Sequence, residues 1–379
     1  MNIPFNKPYM TGKELCYIAD AHFKGRLAGD GEYTLRCHDW LERKTGTQRA
    51  LLTHSCTAAL ELAALLLDLQ SDDEIIMPSY TFVSTANAFV LRGARPVFVD
   101  IRSDTLNLDE TLIEAAITKR TKAIVPVHYG GIACEMDSIM AIAEHYRLYV
   151  IEDAAQGVMA TYKGQPLGSM GHLGAYSFHE TKNVIAGEGG ALLVNTSRFV
   201  EPAEILREKG TDRSRFFRGE ADKYTWQEVG SSFLPGELTA AFLYAQMEAA
   251  ALITDRRIEL WNHYHRLLEP LEAGGYLRRP LIPDACGHNA HMYYVLLNSP
   301  KERERALAEF RRREIGVVFH YVPLHSSPGG LRFGRTAGNL PVTDSVSERL
   351  IRLPMWIGLS TAEQNSVADV LFSIFDCST

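Results

Sequence analysis

A chain of 379 residues, 46% hydrophobic and 22% charged, has the make-up of a folded, water-soluble protein long enough for two or three domains. Its net charge of −7 excludes a broad cationic surface for nucleic-acid backbone. Nowhere do about 18 apolar residues run together to span a bilayer, and six scattered cysteines with no CxxC pair leave no zinc site or disulfide framework to expect.

The opening MNIPFNKPYMTGKE has no basic segment followed by an apolar one, so no signal peptide is expected. With free thiols, the expected compartment is a reducing cytoplasm. From residue 49 to 195 short apolar or β-branched runs recur: RALLTHS (49–55), DEIIMP (73–78), RPVFVDI (95–101), KAIVPVH (122–128), LYVIEDA (148–154), AYSFHE (175–180) and GALLVN (190–195). They are continuous rather than alternating, which predicts strands buried on both faces. Helical patterns such as TAALELAALLLDL and EMDSIMAIAEHYR separate several of them, so a mostly parallel seven-stranded α/β sheet is predicted. The last two runs are close enough in sequence to form an antiparallel pair. After residue 236, ELTAAFLYAQMEAAALITDRRIELWNHYHRLLEPL reads as a long helix, broken or not. It leads into a smaller α+β unit containing HMYYVLL (291–297), KERERALAEFRRR and GVVFHYVPLH (316–325). The expected division is a large domain over 1–250 and a small C-terminal domain over 251–379.

In open parallel sheets, ligands bind beyond the carboxyl ends of the strands. After the first strand, Ser55-Cys56-Thr57 opens a helix, and its free amides and hydroxyls suit a phosphate; plain N-capping is the alternative. After the second, Tyr80 or Phe82 could stack on a flat ring, or either could be core. LYVIEDAAQG closes on Glu152, Asp153 and Gln156. Neighbours on a strand point opposite ways, so one carboxylate faces the site, and Asp153 is better spaced to act with Gln156. AYSFHETK then brings Ser177, His179 and Lys182 to another strand end. The following GEGG is too short for a GxGxxG fingerprint, and GxxxxGK[ST] is absent, which speaks against nicotinamide and P-loop chemistry. A phosphate site, an aromatic plate, a carboxylate and a lysine at one sheet edge are what pyridoxal phosphate requires. Its aldehyde needs an amine nucleophile, its pyridine nitrogen a carboxylate, and its phosphate hydrogen-bond donors.

The segments IPFNKP, GDGEYTLRC, MPSYTFVSTANAFVLRG, PVHYGGIACEMD, SFHETKN, REKGTDRSRFFRG, DKYTW and HYVPLH, spread over essentially the whole chain, resemble the sugar aminotransferases of the DegT/DnrJ/EryC1/StrS family. The resemblance implies the fold-type I architecture of pyridoxal-phosphate-dependent transferases. It makes Lys182 the residue that carries the cofactor, Asp153 the partner of the pyridinium nitrogen, Gln156 the contact of the ring hydroxyl and Phe82 the stacking ring. Cys56, Thr57 and Ser177 are implied to hold the phosphate. It also implies a homodimer with shared active sites, the partner contributing through a G-x-N-[YF]-R motif. Here that segment reads Gly230-Ser231-Ser232-Phe233-Leu234, so Ser232 stands where the asparagine is usual.

The implied reaction moves an amino group from an amino-acid donor, glutamate, to a ketone on a nucleotide-linked sugar, the cofactor alternating between pyridoxal and pyridoxamine forms. Lys209, Arg213, Arg215 and Arg218 are candidates for the substrate's pyrophosphate, with a solvated basic loop as the plain alternative. Tyr321, His325 and His128-Tyr129 are candidates for sugar contacts, although His128 reads more readily as structural. Relatives that remove a sugar hydroxyl carry histidine in place of the lysine, so Lys182 favours transamination. A 3-keto-sugar aminotransferase and a non-catalytic protein of the same fold remain the alternatives.

Overall fold

The computed structural model describes residues 2–220 and 222–375. Cys377 lies outside the described residues, and the other five cysteines are free thiols. All seven predicted strands form: β1 (Arg49–Thr53), β2 (Glu74–Pro78), β3 (Arg95–Val99), β4 (Thr121–Ile124), β5 (Tyr149–Asp153), β6 (Leu173–Ser177) and β7 (Gly190–Val194). An eighth, β8 (Arg335–Thr336), comes from the C-terminal part of the chain and was not foreseen. The spatial order is β1-β7-β6-β5-β4-β2-β3-β8. From β6 to β8 every neighbour is parallel, while β7 runs antiparallel to both β6 and β1.

Two residues make too short a run to read as a strand, and β8 owes its place to side-chain chemistry. The Arg335 guanidinium grips the fully buried Glu74 carboxylate through two hydrogen bonds of 2.8 Å. That pairing, with Thr118 and Arg120 beside it, holds the Glu74 carboxyl down at about 2.

Alternate residues of the strands feed opposite layers, as the period of two demands. Ile76 packs in a core with Tyr33 and Cys37 of helix Glu32–Thr45, Ile139 of helix Met136–Tyr146 and Ala240 of helix Glu237–Glu248. Ile75 and Met77 pack on the other side with Ala59 and Leu62 of helix Cys56–Leu66 and Phe89 of helix Val83–Val90. The long C-terminal helix is indeed broken, ending at Glu248 and resuming at Ala250 as Ala250–Leu267. Trp261 and Tyr264 of that second segment start another core, shared with a three-stranded antiparallel sheet of Leu277–Arg278, Tyr293–Leu297 and Leu350–Leu353. Helices Pro300–Arg312 and Thr361–Ile374 cover it, and the N-terminal Ile3 is buried in it, bridged to Ile315.

GDGEY (29–33) is structural. The buried Glu237 carboxylate accepts from the amides of Gly31, Tyr33 and Thr34 and so caps the Glu32 helix. A Cβ on Gly31 would lie 2.4 Å from the Glu237 carboxyl carbon, so a side chain there would displace the capping carboxylate. Among the described residues no helix is long and apolar enough to cross a membrane.

Candidate active site

Strand ends and one helix start open onto a single cleft of about 430 Å3. β1 passes through a short turn into helix Cys56–Leu66, which Ser55 caps: its hydroxyl accepts from Ala58 N–H at 3.1 Å, its carbonyl from Ala59 N–H at 3.2 Å. The amides of Cys56 and Thr57 are left at the helix mouth, where the backbone has no helical acceptor and the dipole favours an anion. Capping and cradle are thus the same piece of chain. Thr57 Oγ1 donates to Ser84 Oγ at 2.7 Å, and the buried Ser177 ends β6 on the same cleft wall. Burial pushes the Cys56 thiol well above its usual range, so the sulfur stays protonated.

Gly190, the first residue of β7, lies directly against this turn: a Cβ there would come within 2.4 Å of Cys56 N. The GEGG run therefore supplies a tight turn, with Gly187 at φ 78°, and a close approach that shapes the cradle. Gly190→Ala is expected to destabilise the protein by about 1–3 kcal/mol through overpacking. It should also weaken retention of pyridoxal phosphate, since the displaced Cys56 amide is one of the expected anion donors. Thermal unfolding with and without added pyridoxal phosphate measures both; an unchanged midpoint in each would remove the argument.

At the end of β5 the two carboxylates separate as the pleat requires. Asp153 lines the cleft, its Oδ2 accepting from Thr85 Oγ1 at 2.7 Å and its Oδ1 from Ala155 N–H at 3.2 Å. Glu152 faces the other way and is fully buried. It accepts from the amides of Gly168, Met170 and Gly171 and from His128 Nε2 at 2.9 Å. Cys134 N–H donates to His128 Nδ1, which leaves the ring proton on Nε2 for Glu152. Both ring nitrogens are spent, so His128 is structural although it touches the cleft wall.

Gln156 accepts from Gly130 N–H at 2.6 Å and donates to the Tyr321 hydroxyl at 3.1 Å, which fixes its amide and leaves one N–H for a ligand. Phe82 stands 58% exposed at the cleft, whereas Tyr80 is core, its hydroxyl bonded to the His320 carbonyl and its ring packed on Tyr129 and Tyr321.

Lys182 follows β6 by a turn closed by its own N–H on the His179 carbonyl at 2.9 Å. The residue is half-buried, and burial still pushes its ammonium below the ordinary 10.5, against the opposing pull of Cys56 and Asp153 and with help from Arg352. Next to it Asn183 is buried, donating to the Asn289 carbonyl at 2.8 Å and bonded to His291 Nδ1 at 3.1 Å. Asn289 in turn donates to the carbonyls of Gln156 and Val158. One network ties the lysine turn, the Gln156 turn and residues 289–291.

Other expected residues lie elsewhere. His325 pairs with Ser79 Oγ at 2.8 Å and Asp344 at 3.3 Å and does not line the cleft, because the chain turns away after Tyr321. Lys209 and Arg213 are paired with Glu208, Arg215 with Glu201, and Arg218 with Glu204 and Glu220, all off the cleft of their own chain. Ser232 is exposed, outside that cleft, and bridged to Glu208.

Sequence reading missed Ser84, Thr85, His291, His320 and Arg352, all on the cleft wall. Arg352 had a signal: it is the one charge in the apolar run LIRLPMW (350–356). The two histidines had none, since their partners are far away in sequence. Among the described residues no group of three His, Cys, Asp or Glu could hold a metal ion.

Residues 8–372 match the DegT/DnrJ/EryC1/StrS aminotransferase family. Uncharacterized protein MJ1066 of Methanocaldococcus jannaschii is 37% identical over 361 residues, spanning 93% of this chain and 92% of its own. The UDP-4-amino-4-deoxy-L-arabinose–oxoglutarate aminotransferase of Shewanella sediminis is 31% identical over 386 residues, spanning 98% of each. Spr1654 of Streptococcus pneumoniae, solved in its PMP form, superimposes with a TM-score of 0.91 at 26% identity, covering 99% of this chain and 98% of that one.

Proposed function

This chain belongs to the DegT/DnrJ/EryC1/StrS aminotransferase family, and on that premise we propose that it aminates a nucleotide-linked keto sugar. The specific reading is transfer from glutamate to the C4 ketone of dTDP-4-keto-6-deoxy-D-glucose, giving dTDP-4-amino-4,6-dideoxy-D-galactose for a cell-surface polysaccharide. The observation that carries the transaminase chemistry is Lys182 in one cleft with Asp153 and Gln156. The choice of C4, dTDP and enterobacterial common antigen is supported by the likeness of the quoted segments to dTDP-4-amino-4,6-dideoxygalactose transaminase. Glutamate as donor is supported by the activity for which the S. sediminis relative is named, which pairs a 4-amino sugar with oxoglutarate.

The cofactor is pyridoxal 5′-phosphate, and the donor set fits it. Helix-mouth amides and hydroxyls would hold the phosphate and Asp153 would face the ring nitrogen, while the glycine-lined cradle would be filled by any Cβ at 190. When bound, the cofactor supplies an aldehyde for the donor's amine and a protonated ring that draws off the electron pair released at the α-carbon. Lys182 Nζ would take the donor's α-proton as base and return a proton as acid. Its depressed pKa suits that exchange, because the neutral amine is populated at lower pH than for an ordinary lysine. Thr85 and Ala155 N–H keep Asp153 aimed, and Gln156 and Phe82 orient the ring. We further propose a homodimer in which Ser232 and the basic loop of one copy serve the cleft of the other. The exposure of Ser232 and its bridge to Glu208, partner of Lys209 and Arg213, support this.

The test is incubation with glutamate and a panel of 3- and 4-keto nucleotide sugars, with NMR of the product. Amination at C4 of the dTDP sugar, with axial nitrogen, is expected. Turnover of only a 3-keto sugar would sink the specific assignment. A protein that never takes up added pyridoxal phosphate would sink the enzyme.

A further inference from the structure

Four histidines line the cleft, and three of them spend both ring nitrogens. His128 is held by Cys134 N–H and Glu152, His179 by Thr181 and Glu188, and His320 by Tyr129 and Arg352. His291 spends only one. Its Nδ1 lies 3.1 Å from Asn183 Oδ1, and among the described residues no group bonds its Nε2.

The chain fixes which nitrogen carries the proton. The Asn289 carbonyl can only accept, so the Asn183 atom 2.8 Å from it is the amide nitrogen, and Asn183 turns its oxygen to the ring. An oxygen there requires Nδ1–H, which leaves Nε2 with a bare lone pair. The backbone presenting the ring is equally constrained. Ala290 sits in the left-handed region at φ 49°, a conformation that persists only where neighbours over-determine it. Arg257 does so by donating to the carbonyls of Ala290 and His291, and Asn289 Oδ1 does so by accepting from His291 N–H at 3.0 Å.

The ring is also buried among cations. Burial first, then Lys182, Arg352, Arg257 and His320, keep its pKa well below the ordinary 6.5. Such an imidazole accepts a hydrogen bond and declines a proton. Lys182 has use for a neighbour of that kind. A free amine turns about its last carbon bond, and a fixed acceptor for one N–H aims the lone pair. Once Nζ holds a transferred proton, the same bond becomes charge-assisted and stronger. Asn183 directly follows Lys182, so the amine and the residue that fixes its acceptor share one turn.

We propose that His291 is the positioning residue of the reacting amine: its Nε2 accepts a hydrogen bond from Lys182 Nζ whenever that amine is free, aiming its lone pair and holding the transferred proton on nitrogen without taking it. This rests on the aminotransferase reading above.

Two substitutions divide the ring's two bonds. Asparagine places an amide where Nδ1 was, so His291→Asn keeps the bond to Asn183 and loses the acceptor. Glutamine reaches to where Nε2 was, so His291→Gln keeps an acceptor and loses the bond to Asn183. In the half-reaction with glutamate, His291→Asn should convert the pyridoxal form about ten- to a hundredfold more slowly, while the half-saturating glutamate concentration stays within about twofold. His291→Gln should recover most of that rate.

A second readout needs no turnover: the pH dependence of pyridoxal phosphate uptake by cofactor-free protein. The groups facing Lys182 are Cys56, Asp153 and Arg352, and both variants leave them in place. A neutral acceptor holds the ammonium more tightly than the amine, so removing it lowers the Lys182 pKa further, and the uptake midpoint should fall by about 0.5–1 in pH in His291→Asn. Loosened packing would act the other way, since water admitted to the amine lifts the burial penalty and moves the midpoint up towards 10.5.

A rate in His291→Asn within twofold of wild type would overturn the proposal. So would a loss in His291→Gln as large as in His291→Asn, or an upward midpoint, each of which makes the ring structural. A raised half-saturating concentration at unchanged rate would make His291 a donor contact instead, and overturns it too. Should His291→Asn fail to fold, His291→Phe keeps the ring volume, lacks the acceptor and carries the same comparison with glutamine. If wild type takes up no pyridoxal phosphate, it is the transaminase reading that has failed, and this inference falls with it.

Discussion

Lys182→Ala should lower turnover by about 10⁴-fold or more, since the proposed mechanism asks one side chain both to anchor the cofactor and to move the proton. The chain around it should stay folded, because the turn is held by backbone and by Asn183, not by the lysine amine. Wild type is expected to be coloured and to become colourless with borohydride, the cofactor then staying on the chain through denaturation. The variant should release all of it. A pH series on cofactor-free wild type sharpens the test. Because the folded pKa of Lys182 lies below the ordinary 10.5, the neutral amine appears at lower pH, and the rate of pyridoxal phosphate uptake should rise with pH to a midpoint below 10.5. A midpoint at or above that value would contradict the burial of the amine. A variant retaining more than a hundredth of wild-type turnover would sink the catalytic role.

The second large effect belongs to Asp153. Asp153→Ala removes a cleft carboxylate aimed by two donors, Thr85 Oγ1 and Ala155 N–H. Breaking a buried charge pair costs about 3–5 kcal/mol, so a loss of about 10²–10³-fold or more in turnover is expected, with weaker cofactor retention. Asp153→Asn separates the two contributions. It keeps shape and hydrogen bonding, so retention should recover in part while turnover stays low, since a neutral amide cannot hold the ring nitrogen protonated. Single-turnover absorbance and equilibrium dialysis read these separately. Equal recovery of both in the asparagine variant would mean that Asp153 acts by shape alone. Glu152→Gln is the contrast: it breaks a network of three amides and His128, so its effect should fall on stability.

The sheet and the residues at its strand ends were legible because both follow from local rules. Continuous apolar runs demand two covered faces, and period two sends Asp153 and Glu152 to opposite sides. The alternative of core against plate for Tyr80 and Phe82 could not be decided that way, because it depends on Tyr129 and Tyr321 arriving from other parts of the chain. The C-terminal wall was the least legible. HYVPLH contributes His320 and Tyr321 to the cleft but spends His325 on Ser79, and nothing within six residues distinguishes those fates. β8 likewise exists through Glu74, some 261 positions away. Long-range charge pairing leaves no periodic trace.

The buried Arg257 of helix Ala250–Leu267 donates to the carbonyls of Ala290 and His291, beside the Asn289 that grips Gln156 and Val158. Asn183 closes the circuit back to the lysine turn. The floor under the reacting amine is therefore tied by hydrogen bonds to helix Ala250–Leu267. Grafting the C-terminal part of a relative's chain to change sugar choice would disturb the lysine unless residues 257 and 289–291 travelled together.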